Sequence, residues 1–504
     1  MGTLHELNQS PWVSGAANST FPAMEGDQRC DVVVVGAGIT GLTLARILAE
    51  DGVDVVVVDA GPVCAGATGY TTAKVTALHR LVYRELLDRH GEERTRAYAA
   101  ANQSAVERVA ALAEADGIEC DLTTAAAVTY TQRDEHVAAI EAEVDAAQQV
   151  GLAAELTTTT SLPFSVPAAI RLDDQVHFDP RRYCLGLARR VDEGAGSVHE
   201  HTRARDIQRS TSGVTVTTDR GTITADRAAL ATHLPFLDRG GFFTRAHPYR
   251  SYALLARVRG AVPDDMYISV EEPTRSLRPT ADGRLIVGGE GHKTGSEPET
   301  GGHYAALDSW ARANFDVDSI EYRWSAQDYH TVDGMPYVGQ LTPREDRVLV
   351  ATGFRKWGMT NGTAAAEILA DRILGRDNPW AAAFDATRVA PGASVVSFFR
   401  ENVGVAWHFV ADRIAALRAP AADTLRPGEG AVVKQGGVAA ACYRDDAGEL
   451  HAVSSTCTHL GCRVGFNNAE RTWDCPCHGS RFDIDGHVLE GPAVRDLAVK
   501  AQME

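Results

Sequence analysis

The sequence predicts an α/β protein: a nucleotide-binding domain on a parallel sheet, an α+β substrate domain set into it, and a small all-β domain at the C-terminal end. Two stretches carry that prediction, one near each end of the chain. Residues 31–35 form a short apolar strand, followed by Gly36-Ala37-Gly38-Ile39-Thr40-Gly41, a helical pattern over 42–50, a stop at Gly52, and a second strand over 54–58 that ends at Asp59. Far downstream, Cys457-Thr458-His459-Leu460-Gly461-Cys462 and Cys475-Pro476-Cys477-His478-Gly479-Ser480 sit among short strands with glycine turns.

The first stretch reads as strand, glycine turn, helix, strand, acid, the Rossmann-like order. Its glycines Gly36, Gly38 and Gly41 allow a tight turn, a close backbone approach to a pyrophosphate and close helix–strand packing. The helix N-terminus supplies amides and dipole for phosphate, and Asp59 is placed to bond a ribose hydroxyl. The motif alone does not separate FAD from NAD. Two later stretches favour a flavin. Residues 66–74 (Gly-Ala-Thr-Gly-Tyr-Thr-Thr-Ala-Lys) offer donors, Thr71, Thr72 and Lys74 among them. Residues 348–352 read as a strand, then Gly353, Trp357, Gly358, Met359 and Thr360 lead into a helix over 361–374. A helix N-terminus at the pyrimidine end of an isoalloxazine stabilises its anionic reduced form. An ordinary strand–loop–helix packing unit is the alternative for that segment.

Residues 1–29 show no periodicity and read as an N-terminal extension, with Pro11-Trp12 and Phe21-Pro22 either draped over the body or part of a disordered lead. Residues 83–115 and 136–150 carry helical spacings. Residues 198–230 alternate with period two and read as a hairpin, and 249–258, 266–270 and 285–287 as strands of the substrate domain. These segments resemble the FAD-dependent oxidoreductases of the D-amino-acid oxidase and glycine oxidase superfamily over about residues 30–385. Thr331-Val332-Asp333-Gly334-Met335-Pro336 is similar to that family's D-G-x-P segment. Residues 386–427 read as a linker with a helical middle, and 428–504 as the small β domain.

In that last domain each loop gives one cysteine and one histidine: Cys457 with His459, Cys475 with His478. Two thiolates and two imidazoles in this arrangement suit a [2Fe–2S] cluster with cysteines on one iron and histidines on the other. A Cys2His2 zinc site and plain disulfide pairing are the alternatives. The motif resembles the Rieske proteins. The resemblance implies that Cys462 and Cys477 form a disulfide tying the loops, that Ser480 bonds a cluster sulfide, and that Gly491-Pro492-Ala493 covers the cluster. Phe482 stands where high-potential members often carry a tyrosine. The joined arrangement, with Thr71-Thr72-Ala73-Lys74-Val75-Thr76, resembles a bacterial family of fused flavin–Rieske oxidoreductases.

Composition narrows the classes. With 504 residues, 44% hydrophobic and 23% charged, the chain is globular and too long for one core. A formal charge of −18 argues against nucleic acid or an anionic membrane as partner. No run of eighteen apolar residues exists, so no transmembrane segment is expected. Cys30, Cys64, Cys120, Cys184 and Cys442 are scattered, which fits a reducing, cytoplasmic location with the cluster-side disulfide an exception.

A flavin takes a hydride from carbon and releases electrons singly, so the expected function is oxidation of a C–N bond in a small amine or amino acid, with electrons leaving through the cluster to an unidentified acceptor. A carboxylate substrate wants an arginine fork, for which Arg278 is the candidate, with Trp357 beside the flavin. His177, Tyr252, His292, Tyr329 and His330 are further candidates for the pocket wall. An NAD(P)H-fed reductase lacks a second glycine motif here, a Rieske oxygenase lacks a domain for its mononuclear iron, and a pure electron-transfer module leaves the first motif without a purpose.

Overall fold

The computed structural model describes residues 8–14, 21–297, 299–388, 422–435 and 438–500. The expected helical middle of the linker lies outside the described residues.

The strands, in chain order, are β1 (Gln28–Val35), β2 (Val55–Val58), β3 (Lys74–Val75), β4 (Thr123–Thr131), β5 (Glu155–Thr157), β6 (Ala168–His177), β7 (Gly196–His199), β8 (Ala204–Arg209), β9 (Val214–Thr218), β10 (Thr222–Leu230), β11 (Ala246–Val258), β12 (Met266–Ser269), β13 (Arg275–Pro279), β14 (Leu285–Lys293), β15 (Val317–Thr331), β16 (Tyr337–Gln340) and β17 (Val348–Thr352). The small domain adds β18 (Gly430–Gln435), β19 (Val438–Arg444), β20 (Leu450–Ser454), β21 (Gly465–Asn467), β22 (Thr472–Asp474), β23 (Arg481–Phe482) and β24 (Val488–Glu490).

One sheet runs β16-β17-β10-β1-β2-β7, with β17, β10, β1, β2 and β7 parallel. Its strands are valine-rich because both faces are covered: all four residues of β2 are buried. Val35 pairs with Val58 on one side and Leu230 on the other. The strands therefore end together, and Gly36, Asp59 and Ala231 open one crevice at their carboxyl ends, where ligands of such sheets bind. The Ile39–Glu50 helix begins at that edge.

The second sheet runs β15-β11-β14-β13-β12-β4-β6-β3. The hairpin expected over 198–230 is four strands instead. β7 joins the parallel sheet, and β8 and β9 lead antiparallel into β10, which lies between β1 and β17. Alternation shows strands but not that a strand changes partners, and the break falls at Glu200 and Thr202, which are buried yet polar. The N-terminal stretch does pack on the body: Trp12 donates its indole N–H to the Thr71 carbonyl at 2.8 Å.

The small domain consists of a three-stranded sheet (β18-β19-β20) and a four-stranded one (β21-β22-β23-β24). Its core is Trp473, Phe482, Val464 and Leu497 around the motif cysteines. It sits directly on β11 of the second sheet. Arg250, 1% exposed, pairs with Glu470 at 3.3 Å and approaches Asp474. Arg481 bonds the same two carboxylates, so the buried charges are compensated. Gly479 faces Pro248 and Gln327 so closely that a Cβ would lie 2.7 Å and 2.8 Å from their atoms. Only glycine lets the domains meet there.

Candidate active site and cluster site

The crevice above the parallel sheet opens into a cavity of about 920 Å³. Gly36, Gly38, Asp59, Thr71, Thr72, Lys74, Trp357, Gly358 and Met359 line it, as expected for a flavin site. Gly41 sits one turn into the helix, beneath the Gly36 carbonyl. Asp59 accepts the amides of Ala37 at 2.7 Å and Gly61 at 2.9 Å, which fixes the glycine turn while the carboxylate stays in the cavity wall. Burial raises its pKa against those two amides.

With Gly41, four expected residues lie off the cavity wall. Arg278 does not reach the cavity. Its Nη2 donates to His177 Nδ1 and to the Phe178 carbonyl, both at 2.9 Å, and the Trp12 ring caps its guanidinium at 5.2 Å. Ser276, two residues earlier on β13, takes the wall position instead. Gly353 ends β17 under Thr331, and Thr360 turns inward to donate to the Thr76 carbonyl at 3.1 Å. Of the further candidates, Tyr252 and His330 line the cavity, whereas His177, His292 and Tyr329 do not.

Lys74 is a buried amine of the wall. Its Nζ donates to the Tyr267 carbonyl at 2.6 Å and to Ser276 Oγ at 2.7 Å. Burial, then the nearby Arg278 charge, pulls its pKa down to about 7. Trp357 stacks on His79, with ring centres 4.6 Å apart. Burial holds His79 down at about 3, so that ring is neutral. Sequence reading missed Arg80, Lys356, Gln327 and Asp328, all in the wall. Each is a polar residue next to a recognised segment, with no spacing signal of its own.

Around the cluster motif, the Cys457 and Cys475 thiols are within hydrogen-bonding reach of each other, and that contact lowers the Cys457 pKa. The His459 and His478 rings lie 5.0 Å apart, nearly perpendicular, beside Phe243 of the body. Burial lowers the pKa of both, which keeps the imidazoles neutral, as metal ligation requires. His459 Nε2 bonds Asp238 of the body at 2.9 Å, while its Nδ1 is buried without a hydrogen-bond partner. An outer carboxylate on one ring nitrogen and an orphaned inner nitrogen are the arrangement of a metal-ligating histidine. Cys462 and Cys477 are joined in a disulfide, with Cα atoms 6.6 Å apart. Ser480 Oγ accepts the Ala493 amide at 3.0 Å, tying the motif to the Gly491-Pro492-Ala493 turn.

A second trio, His292, Glu297 and His303, is close enough for a metal. Its two rings are nearly parallel (11°) at 4.7 Å, so their in-plane lone pairs do not converge on one ion.

The pattern of the FAD dependent oxidoreductase family matches residues 31–372, and that of the Rieske [2Fe-2S] domain matches residues 416–501. The chain belongs to the FAD-dependent oxidoreductase family and carries a Rieske domain. The putative Rieske 2Fe-2S iron-sulfur protein YhfW of Bacillus subtilis (strain 168) is 35% identical over 504 residues, 99% of each chain. The glycine oxidase of Bacillus licheniformis is 27% identical over 383 residues, 72% of this chain and 98% of that protein. Among solved structures, the L-amino acid deaminase of Proteus vulgaris superposes with a TM-score of 0.60 at 15% identity, over 74% of this chain and all of that one. FAD and a [2Fe–2S] cluster are thus the cofactors of this oxidoreductase. Cys457, His459, Cys475 and His478 fit the cluster, and the glycine-turn crevice fits the FAD. Among the described residues, no helix is long and apolar enough to cross a membrane.

Proposed function

We propose that this protein oxidises a C–N bond of an amine or amino acid at FAD and passes the electrons singly to its Rieske cluster. The observation that carries the reading is one strand. On β15, Asp328 and His330 face the cavity, while Tyr329 between them faces the other way and bonds the backbone of cluster ligand His478 at 2.9 Å. A redox group in the cavity and a cluster on the four ligands are then separated by a single layer of protein.

Bound FAD supplies hydride acceptance from carbon and one-electron release. The chain's own residues do the rest. Substrate amines must be neutral to give up hydride, and Lys74, poised near pH 7, is suited to hold or pass the proton that the amine sheds. The Lys356 ammonium gives the wall a positive group for an anionic substrate, whereas the nearby Arg80 is already paired with Glu272 at 2.8 Å. Trp357, braced on His79, fixes the shape of the cavity beside the Gly358–Leu374 helix N-terminus. The family's C–N chemistry, printed in the names of glycine oxidase and L-amino acid deaminase, supports the substrate class.

The test is anaerobic mixing of the holoprotein with a panel of amines and amino acids. The expected sequence is flavin bleaching, then the absorbance change of cluster reduction. Bleaching by NAD(P)H and by no amine overturns the reading in favour of a reductase.

A further inference from the structure

The cavity wall is not made by the oxidoreductase body alone. Val488 to Val494, all in the Rieske domain, line it together with Asp59, Arg203 and His233 of the body. Three contacts hold that segment in place. Arg203 Nη2 donates to the Val488 carbonyl at 3.0 Å. His233 lies between two carboxylates, with Nδ1 3.2 Å from Glu490 and Nε2 3.2 Å from Asp328. Tyr329 bonds the His478 carbonyl at 2.9 Å and reaches the Gly491 carbonyl at 3.4 Å. The backbone of His233 adopts φ +67°, a conformation that non-glycine residues rarely take and that persists where the surroundings impose it. On its other side the same segment is fastened to the cluster motif, since Ser480 Oγ accepts the Ala493 amide.

The geometry points to a composite FAD site: residues 488–494 of the Rieske domain are part of the wall that retains FAD, so the flavin binds tightly only when the Rieske domain is docked and its cluster loop is formed. The segment is a shared partition, with the dinucleotide cavity on one face and the cluster loops on the other. The coupling must be reciprocal, because whatever FAD gains from the docked segment, docking gains from FAD. The inference uses the FAD and cluster assignments and does not need amine oxidation, so its test stands apart from that of the proposed function.

The experiment uses the full-length protein with its cluster, stripped of flavin and titrated with FAD. Amide hydrogen exchange is followed with and without FAD, and the dissociation constant is read from flavin fluorescence. FAD is expected to slow exchange over 488–494 as well as over the glycine turn at 36–41. Glu490→Gln removes the charge-assisted bond to His233, and the FAD dissociation constant is expected to rise about tenfold. The Rieske EPR signal of the variant, measured alongside, is expected to keep its shape, which shows that the cluster domain is folded. Protection confined to residues 36–41, or an unchanged dissociation constant in Glu490→Gln, overturns the composite site.

Discussion

Tyr329 donates its hydroxyl hydrogen to the backbone carbonyl of His478 across 2.9 Å, and Gln327, on the same strand, donates to the neighbouring Gly479 carbonyl at 2.9 Å. Both carbonyls belong to the loop that carries His478, the proposed cluster ligand, and both donors belong to the strand that walls the cavity. This junction joins the cavity wall to the cluster motif by direct hydrogen bonds. Tyr329→Phe keeps the ring and deletes the bond. Cluster reduction is expected to lag further behind flavin bleaching in stopped-flow traces of FAD-saturated protein, with iron content unchanged. The buried carbonyl left behind is expected to cost about 1–3 kcal/mol of stability. An unchanged lag would remove this bond from the electron route.

Gly41 presents a purely steric test of the flavin site. A Cβ there would lie 1.9 Å from the Gly36 carbonyl oxygen, and backbone faces backbone, so no side chain can give way. Gly41→Ala is expected to push the Ile39–Glu50 helix off β1 and abolish FAD retention. The purified variant is expected to be colourless at the flavin bands while keeping its Rieske EPR signal. Flavin retained at the wild-type ratio would show that the turn relaxes more easily than the contact implies.

Much of this architecture was legible because it rests on short-range rules. The glycine turn, Asp59 and the valine strands announce themselves through steric and periodic requirements. The Cys/His pairs of the cluster motif do so through spacing. What was not legible depends on distant parts of the chain. Arg278 carries the right chemistry for a carboxylate, but Trp12 covers it from a stretch with no periodicity at all. β15 alternates imperfectly because one face meets the cavity and the other meets the Rieske domain, so polar residues appear on both. The contribution of 488–494 to the flavin cavity needs two domains to dock, and no local pattern encodes that.

Phe482 is wholly buried in the Rieske core, paired across the sheet with Trp473 and Val488. A phenyl ring cannot donate to a cluster sulfur. Phe482→Tyr adds a hydroxyl at the position where a donor would stabilise the reduced, more negative cluster, so the midpoint potential is expected to rise. The measurement is an EPR-monitored redox titration on protein analysed to hold about two irons per chain. A potential unchanged or lowered would mean that the new hydroxyl finds another partner. Zinc in place of iron would remove the cluster assignment itself.

His233 makes stability depend on pH with a definite sign. Burial alone would lower its pKa, but the hydrogen bonds and charges of Asp328 and Glu490 outweigh burial and raise it to about 9. Burial likewise opposes the ionisation of Glu490, but the hydrogen bond and charge of His233, with Arg481 and Arg250, outweigh burial and lower its pKa. A histidine raised in the folded state binds its proton more tightly there than in the unfolded chain. Its contribution is therefore fully present below the unfolded value of about 6.5 and is lost as pH rises through about 9. The shift corresponds to about 3 kcal/mol. Lys74, lowered to about 7, contributes the opposite slope in the same window. The quantity to read is therefore the difference in melting temperature between the wild type and a His233 variant, which is expected to shrink over pH of about 6.5 to 9. His233→Asn tolerates the positive φ of this position and carries no titrating group there, so its melts are expected to start below those of the wild type and to converge on them across the same window. Parallel wild-type and variant curves would place the titration elsewhere and leave the Asp328–His233–Glu490 bridge uncharged.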